Sequence, residues 1–383
     1  MSSAAVSPTT LTLGHDLAGE VVQLVIPAPA VGRPPGVLLV GQPGTGKTSA
    51  LRQIGQEAAR AGSRVINVAP LDLSFAREDE IDLTNPEALP GVLDPLKIAP
   101  RDLREQITTA ALFALLQPTR EWEAPITTAV HAANAKRGGG DLGDVIDELR
   151  ASTEPAAHDT AGALAVYADY GLARLLFPTR VQRSNASARE WRRSGAHRRK
   201  ADPAAVAAVR DHVLTQPITT IRLPLVDPPA DYRVPASDHS TDECVAAATA
   251  ILLATYALRL AASTPTHTLV LFDSLASAVI HSTRGRRVFS ALARTARAHN
   301  TTIALTTLRP DAAASIAPMF ASRIAFAPAS RADAKHTAEL LGLNDEELWI
   351  ERMRSYRPGQ CMLRDHTGRL TELEVDTPPT LVR

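Results

Sequence analysis

Leu11–Leu13 and Val21–Val25 alternate apolar and polar positions on either side of His15-Asp16 and Gly19, the pattern of a β-hairpin. After Pro34-Pro35, the unbroken apolar run Val37–Val40 lies between glycines and predicts a strand buried on both faces. The rhythm then changes. Ala50, Leu51, Ile54 and Ala58 recur at helical spacing within Thr48–Ala61, and Gly62 supplies a stop. Arg64–Val68 returns to the strand pattern, so the series strand, loop, helix, strand predicts a mostly parallel α/β sheet covered by helices. Downstream, Thr268–Phe272 and Thr302–Thr306 read as buried strands. Between them runs a helix, Arg286–His299, with Val288, Phe289, Leu292, Ala293 and Ala296 on its apolar face. Ile324–Phe326 predicts a further strand. Gln360–Arg364 and Leu370–Val375 flank His366-Thr367-Gly368 as a C-terminal β-hairpin.

The middle of the chain follows another pattern. Leu103–Leu116, Asp144–Leu149 and Ala161–Leu176 are helical, and Pro178–Pro203 is basic without any apolar period, as in a loop. The expected organisation is a core split into residues 1–100 and 236–383, around a mostly helical insertion, 101–235, that carries the basic loop 178–203. Val245–Ala262 is apolar enough to be mistaken for a membrane span. Thr249, Thr255, Arg259 and the strand that follows predict a buried helix instead, and no integral membrane span.

Forty-one basic side chains balance forty-one acidic ones, so no global field draws the chain to nucleic acid or membrane. The two cysteines, Cys244 and Cys361, fit neither a disulfide framework nor a zinc site. With no secretory signal pattern in Met1–Leu13, the expectation is a cytoplasmic protein, or one peripheral at the inner membrane.

One segment changes the picture. Gly41-Gln42-Pro43-Gly44-Thr45-Gly46-Lys47-Thr48 satisfies G-x-x-x-x-G-K-[ST] and sits between a predicted buried strand and a predicted helix. The glycines let backbone N–H groups converge on phosphate oxygens, and the helix start adds unpaired donors and a positive partial charge. Lys47 would neutralise the β/γ-phosphates, Thr48 would ligate Mg²⁺, and Ser49 completes the phosphate-binding set. The motif predicts binding of ATP with Mg²⁺. A carboxylate just past a neighbouring buried strand is the expected metal partner, and Asp273 follows Thr268–Phe272.

From here the chain resembles the HerA–FtsK superfamily of P-loop motors, in particular the ATPase domain of type IV secretion and conjugation ATPases. The resemblance rests on the P-loop and Asp273 and on an ordered series of shorter segments. These include Leu11-Thr12-Leu13-Gly14, Gly91–Leu96, Asp144–Leu149 and Leu176-Phe177, followed by Thr219–Pro224, Leu340–Leu343 and Arg357–Asp365. It implies a RecA-like fold, hexameric rings, and ATP-driven movement of DNA or protein in a conjugation or secretion complex. Two departures concern hydrolysis. Ser274 stands where the family has a glutamate base. Thr306-Thr307-Leu308-Arg309-Pro310 matches Ala-Thr-Gln-x-Pro with Leu308 in the glutamine position. Serine cannot serve as a carboxylate base, and leucine cannot hydrogen-bond a phosphate.

RecA-like proteins offer a substitute, a carboxylate after the next strand, and Asp72 (with Glu78 beyond it) stands there. Arg297 and Arg323 are the candidates for an arginine completing the site across a subunit boundary. Arg180–Lys200, with Trp191 inside it, is the candidate DNA contact. The reading is an oligomeric ATPase, with two alternatives left open. One is a hydrolysis-deficient nucleotide-binding switch or scaffold. The other is a RecA-like recombination or signalling ATPase, suggested by Asp273-Ser274.

Overall fold

The computed structural model describes residues 8–27, 35–70, 79–137, 139–168, 171–178, 203–223, 241–273, 283–343 and 347–376. Asp72, Glu78, Ser274 and the segment Arg180–Lys200 lie outside them. The strands in chain order are β1 (Thr9–Asp16), β2 (Val21–Ile26), β3 (Gly36–Val40), β4 (Arg64–Pro70), β5 (Asp79–Asp82), β6 (Ile218–Leu223), β7 (Thr268–Phe272), β8 (Thr301–Thr307), β9 (Phe320–Phe326), β10 (Gln360–Arg364) and β11 (Leu370–Val375). The helices are α1 (Lys47–Arg60), α2 (Pro95–Ile98), α3 (Arg104–Leu116), α4 (Arg120–Ala135), α5 (Leu142–Ala151), α6 (Pro155–Ala168), α7 (Pro203–Arg210), α8 (Thr241–Ala262), α9 (Thr283–Ala298), α10 (Pro310–Ala313), α11 (Arg331–Leu341) and α12 (Glu347–Arg354).

The chain divides into two compact units, residues 1–80, 214–222 and 261–383 in one, and 81–213 and 223–260 in the other. This division falls elsewhere than the sequence pattern suggests. Ile218–Leu223 pairs into the sheet, so residues 218–222 cluster with the strands, while 81–100 and 223–260 cluster with the helical segments.

In the first unit the described strands form one sheet in the order β2-β1-β11-β10-β9-β3-β8-β7-β4-β6-β5. The block β9-β3-β8-β7-β4 is parallel, and β10, β11, β1 and β2 extend it as an antiparallel wing from β9. Every residue of β3, β7 and β8 is buried, as expected of parallel strands covered on both faces. Helix α1 closes one face. Its Ala50, Leu51, Ile54 and Ala58 join Leu39, Leu271 and Ile324 of the parallel block and Leu11, Leu363 and Leu373 of the wing in a single apolar cluster. Each large side chain so buried contributes about 1.5–3 kcal/mol. The pairing of β1 with β2 slips between Thr12 and Gly14, a bulge that leaves Leu13 out of the register with β2. Next to it, helix α1 reaches the strand, since Thr12 N–H donates to Glu57 (3.4 Å) and Gln53 donates to the Thr12 carbonyl (3.3 Å).

The second unit is helical. Asp94 is fully buried and accepts from the backbone N–H groups of Leu96 (2.9 Å) and Leu142 (3.0 Å), so one carboxyl joins the starts of α2 and α5. Burial pushes its pKa up to about 7 against the pull of those two donors. Asp141 and Asp144 form a reciprocal capping box at α5. The predicted helix Ala161–Leu176 ends at Ala168, and Gly171–Leu175 is a separate 3₁₀ turn. Among the described residues one stretch is long and apolar enough to cross a membrane, Cys244–Ala262 of α8, with mean hydropathy 1.8 and 83% of it buried.

Candidate nucleotide site

The loop between β3 and α1 is built on three glycines with positive φ, Gly41 (152°), Gly44 (76°) and Gly46 (108°). A Cβ at Gly41 would lie 2.7 Å from the Phe326 Cβ, so both conformation and space exclude a side chain there. Neighbouring strands hold the loop at both ends. Gln42 N–H donates to the Ala327 carbonyl just past β9 (2.9 Å), and Gly359 N–H donates to the Thr45 carbonyl from the turn leading into β10 (2.9 Å). Gly359 also has positive φ (93°), and a Cβ on Gly46 would come within 3.1 Å of its nitrogen. Two glycines therefore meet face to face behind the loop.

Helix α1 starts at Lys47 behind an N-cap glycine that makes no side-chain cap, so its first N–H groups stay available as donors. Lys47 is buried, and its Nζ donates to the Gln42 carbonyl (2.6 Å), as does the Thr45 hydroxyl (2.8 Å). Burial pulls the lysine pKa down to about 8, offset in part by the Asp273 carboxylate. Ser49 is exposed on the first turn.

Asp273 lies one residue past β7, buried at 5% exposure. Its Oδ2 accepts from the Thr48 hydroxyl (2.7 Å) and its Oδ1 from the Thr306 hydroxyl of β8 (2.7 Å). One carboxylate thus bridges the start of α1 and the end of β8. The strand register accounts for this, because β7 and β8 run parallel with Phe272 opposite Leu305, which sets the next residues, Asp273 and Thr306, side by side. Sequence reasoning missed Thr306. The available signal was its hydroxyl at the alanine position of Ala-Thr-Gln-x-Pro. Leu308 is half-buried just past the end of β8, and the Arg309 N–H donates to the Thr307 hydroxyl (3.1 Å). Arg309 forms an ion pair with Asp311, whose pKa the guanidinium lowers to about 2.

The structure brings Gly41–Ser49 and Asp273 together at the carboxyl ends of the parallel strands and leaves both candidate arginines elsewhere. Arg323 lies midway along β9 and donates to the carbonyls of Leu340 (2.5 Å) and Ala317 (3.2 Å), which ties the ends of two segments to the sheet. Arg297, in the last turn of α9, lines a pocket with Gly36 and Thr301, the first residues of β3 and β8. That is the opposite end of the strands from the loop.

A glycine cradle at a helix start, a buried lysine within it and a hydroxyl–carboxylate pair beside it, one strand removed, define a RecA-like P-loop nucleotide-binding fold. Residues 216–379 match the family described as AAA-like domain, over less than half of the chain. No curated protein sequence matches the chain. Among solved structures, VirB4 of Thermoanaerobacter pseudethanolicus is similar with TM-score 0.67 and 14% identity, over 96% of this chain and 97% of that one. The bacterial conjugative coupling protein TrwBdeltaN70 gives TM-score 0.57 at 12% identity, over 99% and 90%. Plasmid coupling protein TrwB in complex with the non-hydrolysable ATP analogue ADPNP gives 0.54 at 14%, over 90% and 86%. At such identities the likeness is one of fold.

Proposed function

We propose that this chain is an ATPase of the HerA–FtsK type, working as a ring-shaped oligomer to move DNA or protein in a conjugation or secretion-like system. The observation that carries the reading is the Asp273 carboxylate, held between Thr48 and Thr306 beside the glycine cradle. The loop's N–H groups and the α1 terminus would receive the phosphates, with Lys47 as their countercharge. Thr48 and Asp273 would hold Mg²⁺, because both present oxygen atoms, the hard donors this ion takes. When bound, the ion supplies positive charge against the phosphate oxygens. Asp72 is our choice for the carboxylate that accepts the proton of the attacking water, and Arg180–Lys200 for the DNA contact. The similarity to TrwB, a conjugative coupling protein also solved with an ATP analogue, supports the nucleotide and the setting.

Titration calorimetry with Mg·ATP tests the binding step. Saturable binding is expected, weakened about 10- to 150-fold in Lys47→Ala by loss of a hydrogen bond to a charged group. Equal affinity in the variant would remove the assignment of the cradle. Phosphate release with and without DNA then tests the motor, which should run faster with DNA.

A second reading, a nucleotide-dependent switch without turnover, has one observation in its favour. Leu308 sets an apolar side chain just past the end of β8, beside Thr306 and Thr307, where the family resemblance calls for glutamine. Tight Mg·ATP binding with background turnover, with or without DNA, would select it.

A further inference from the structure

Helix α9 is the most one-signed element of the first unit. All its charged residues are arginines, Arg284, Arg286, Arg287, Arg294 and Arg297, and it has no acidic residue. Arg294 and Arg297 are three apart and therefore neighbours on the helix surface. Arg294 is exposed and Arg297 half-buried, and among the described residues neither guanidinium has a hydrogen-bond or ion-pair partner. Both line a pocket of about 380 Å³ to which no carboxylate among the described residues contributes. Its apolar lining is supplied by Ile303, Pro318, Met319 and Phe320. The hydroxyl groups at its edge are already engaged, since Ser290, Thr301 and Ser315 each donate to a nearby backbone carbonyl. Among the described residues the charge of the pocket is thus set by the two arginines.

We propose that this pocket binds a small amphiphilic anion, with one carboxylate, phosphate or sulfonate head for Arg294 and Arg297 and an apolar body lying against Met319 and Phe320. The volume lies within the range of small-molecule sites, which combine an apolar lining with a few convergent polar groups. Two adjacent like charges repel, and an anion with two or three oxygens relieves that repulsion while engaging both planar donors. This is a separate site from the nucleotide cradle. It opens at Gly36 and Thr301, where β3 and β8 begin, whereas the cradle follows Val40, about 13 Å along the strand. The proposal stands on the arginine pair and the pocket, and it does not depend on ATP hydrolysis.

Fluorescence titration of the full chain with 8-anilinonaphthalene-1-sulfonate provides the probe, and N-phenyl-1-naphthylamine provides the same body without the charge. The expected result is one saturable sulfonate site per chain. It should be weakened at least tenfold by Arg294→Gln with Arg297→Gln, partly restored by lysine at both positions, and unaffected by Lys47→Ala or by saturating Mg·ATP. The uncharged probe should bind more weakly and respond to none of these changes. Thermal melting confirms that each variant is folded, and unchanged Mg·ATP affinity does so for the two double variants at Arg294 and Arg297. Equal sulfonate affinity in the glutamine variant overturns the proposal, and so does displacement by Mg·ATP, which would identify the nucleotide cradle as the probe's site. Sedimentation gives a third route to refutation: wild-type association that the glutamine variant abolishes would make the arginines a contact between copies of the chain.

Discussion

At the carboxyl ends of β3, β7 and β8 the two described charged groups of the nucleotide site are already engaged. Lys47 donates to the Gln42 carbonyl, and Asp273 accepts from Thr48 and Thr306. At the amino ends of β3 and β8, two arginines face an apolar pocket and have no partner among the described residues. The same parallel strands supply both ends, and the difference comes from the segments that leave and enter them. After β3 the chain turns through three positive-φ glycines, so its own backbone dipoles can approach a buried cation. Before β8 it arrives from an arginine-rich helix whose charges have only side chains to meet. The charged side chains of the first end are therefore preorganised by fixed partners, and those of the second are not.

The largest test of this contrast is catalytic. With Asp72 as the proton acceptor, Asp72→Asn should lower phosphate release about 10²- to 10⁴-fold while calorimetric Mg·ATP affinity stays unchanged. Turnover that is brisk in both forms would move the base elsewhere at that end.

Next in size is Thr306. Removing its hydroxyl in Thr306→Val takes away one of the two hydroxyl groups that donate to the Asp273 carboxylate, and outer-shell partners of this kind are worth about 10–100-fold in metal affinity. The Mg²⁺ concentration needed for half-maximal nucleotide binding should rise by that factor, and Thr306→Ser should restore it. An unchanged Mg²⁺ requirement in the valine variant would leave Thr306 as a packing residue.

Acidity gives a smaller and graded effect. With the Lys47 pKa near 8, the ammonium is in place below that value and affinity should be flat. Above it, each binding event must take up a proton, so Mg·ATP affinity should fall about tenfold per pH unit between 8 and 9.5. A flat profile across that range would mean that the lysine keeps its proton despite burial.

The smallest expected effect lies at the other end. Arg297→Gln should change ATP turnover by no more than about twofold, whereas an arginine acting in trans is worth about 10³–10⁵. A loss of that larger size would mean that the two ends meet across subunits, with Arg297 completing a neighbouring copy's site.

How much of the molecule is legible in its sequence depends on which contacts are local. The cradle was legible because its glycines, Lys47 and Thr48 lie within eight consecutive residues, after a strand whose burial is written in its apolar run. Asp273 was legible for a similar reason, as the first polar residue past such a run. Thr306 was not, because its contact with Asp273 depends on the register between β7 and β8, which no periodicity encodes. The surroundings of Arg297 were not legible for the same kind of reason. Its place on a helix leading into β8 is visible in the pattern, but that helix delivers its last turn to the start of the strands, away from the loop. Among the elements, α4 escaped notice because Pro125 inside it reads as a break. The edge strand β5 did so because Asp79-Glu80-Ile81-Asp82 lacks the apolar alternation of a half-buried strand.

The contact of Gly359 with Thr45 also has a consequence for synthesis. The loop is translated well before Gly359, yet one of its backbone carbonyls is satisfied by an N–H that arrives only with the turn before β10. A nascent chain that already contains α1 and β4 therefore carries an unfinished loop through most of its elongation. Ligand stabilises only what it can bind, so nucleotide should begin to protect the growing polypeptide from proteolysis only after β10 and β11 have left the ribosome. The hairpin β10–β11 then reports that the support of the loop is in place.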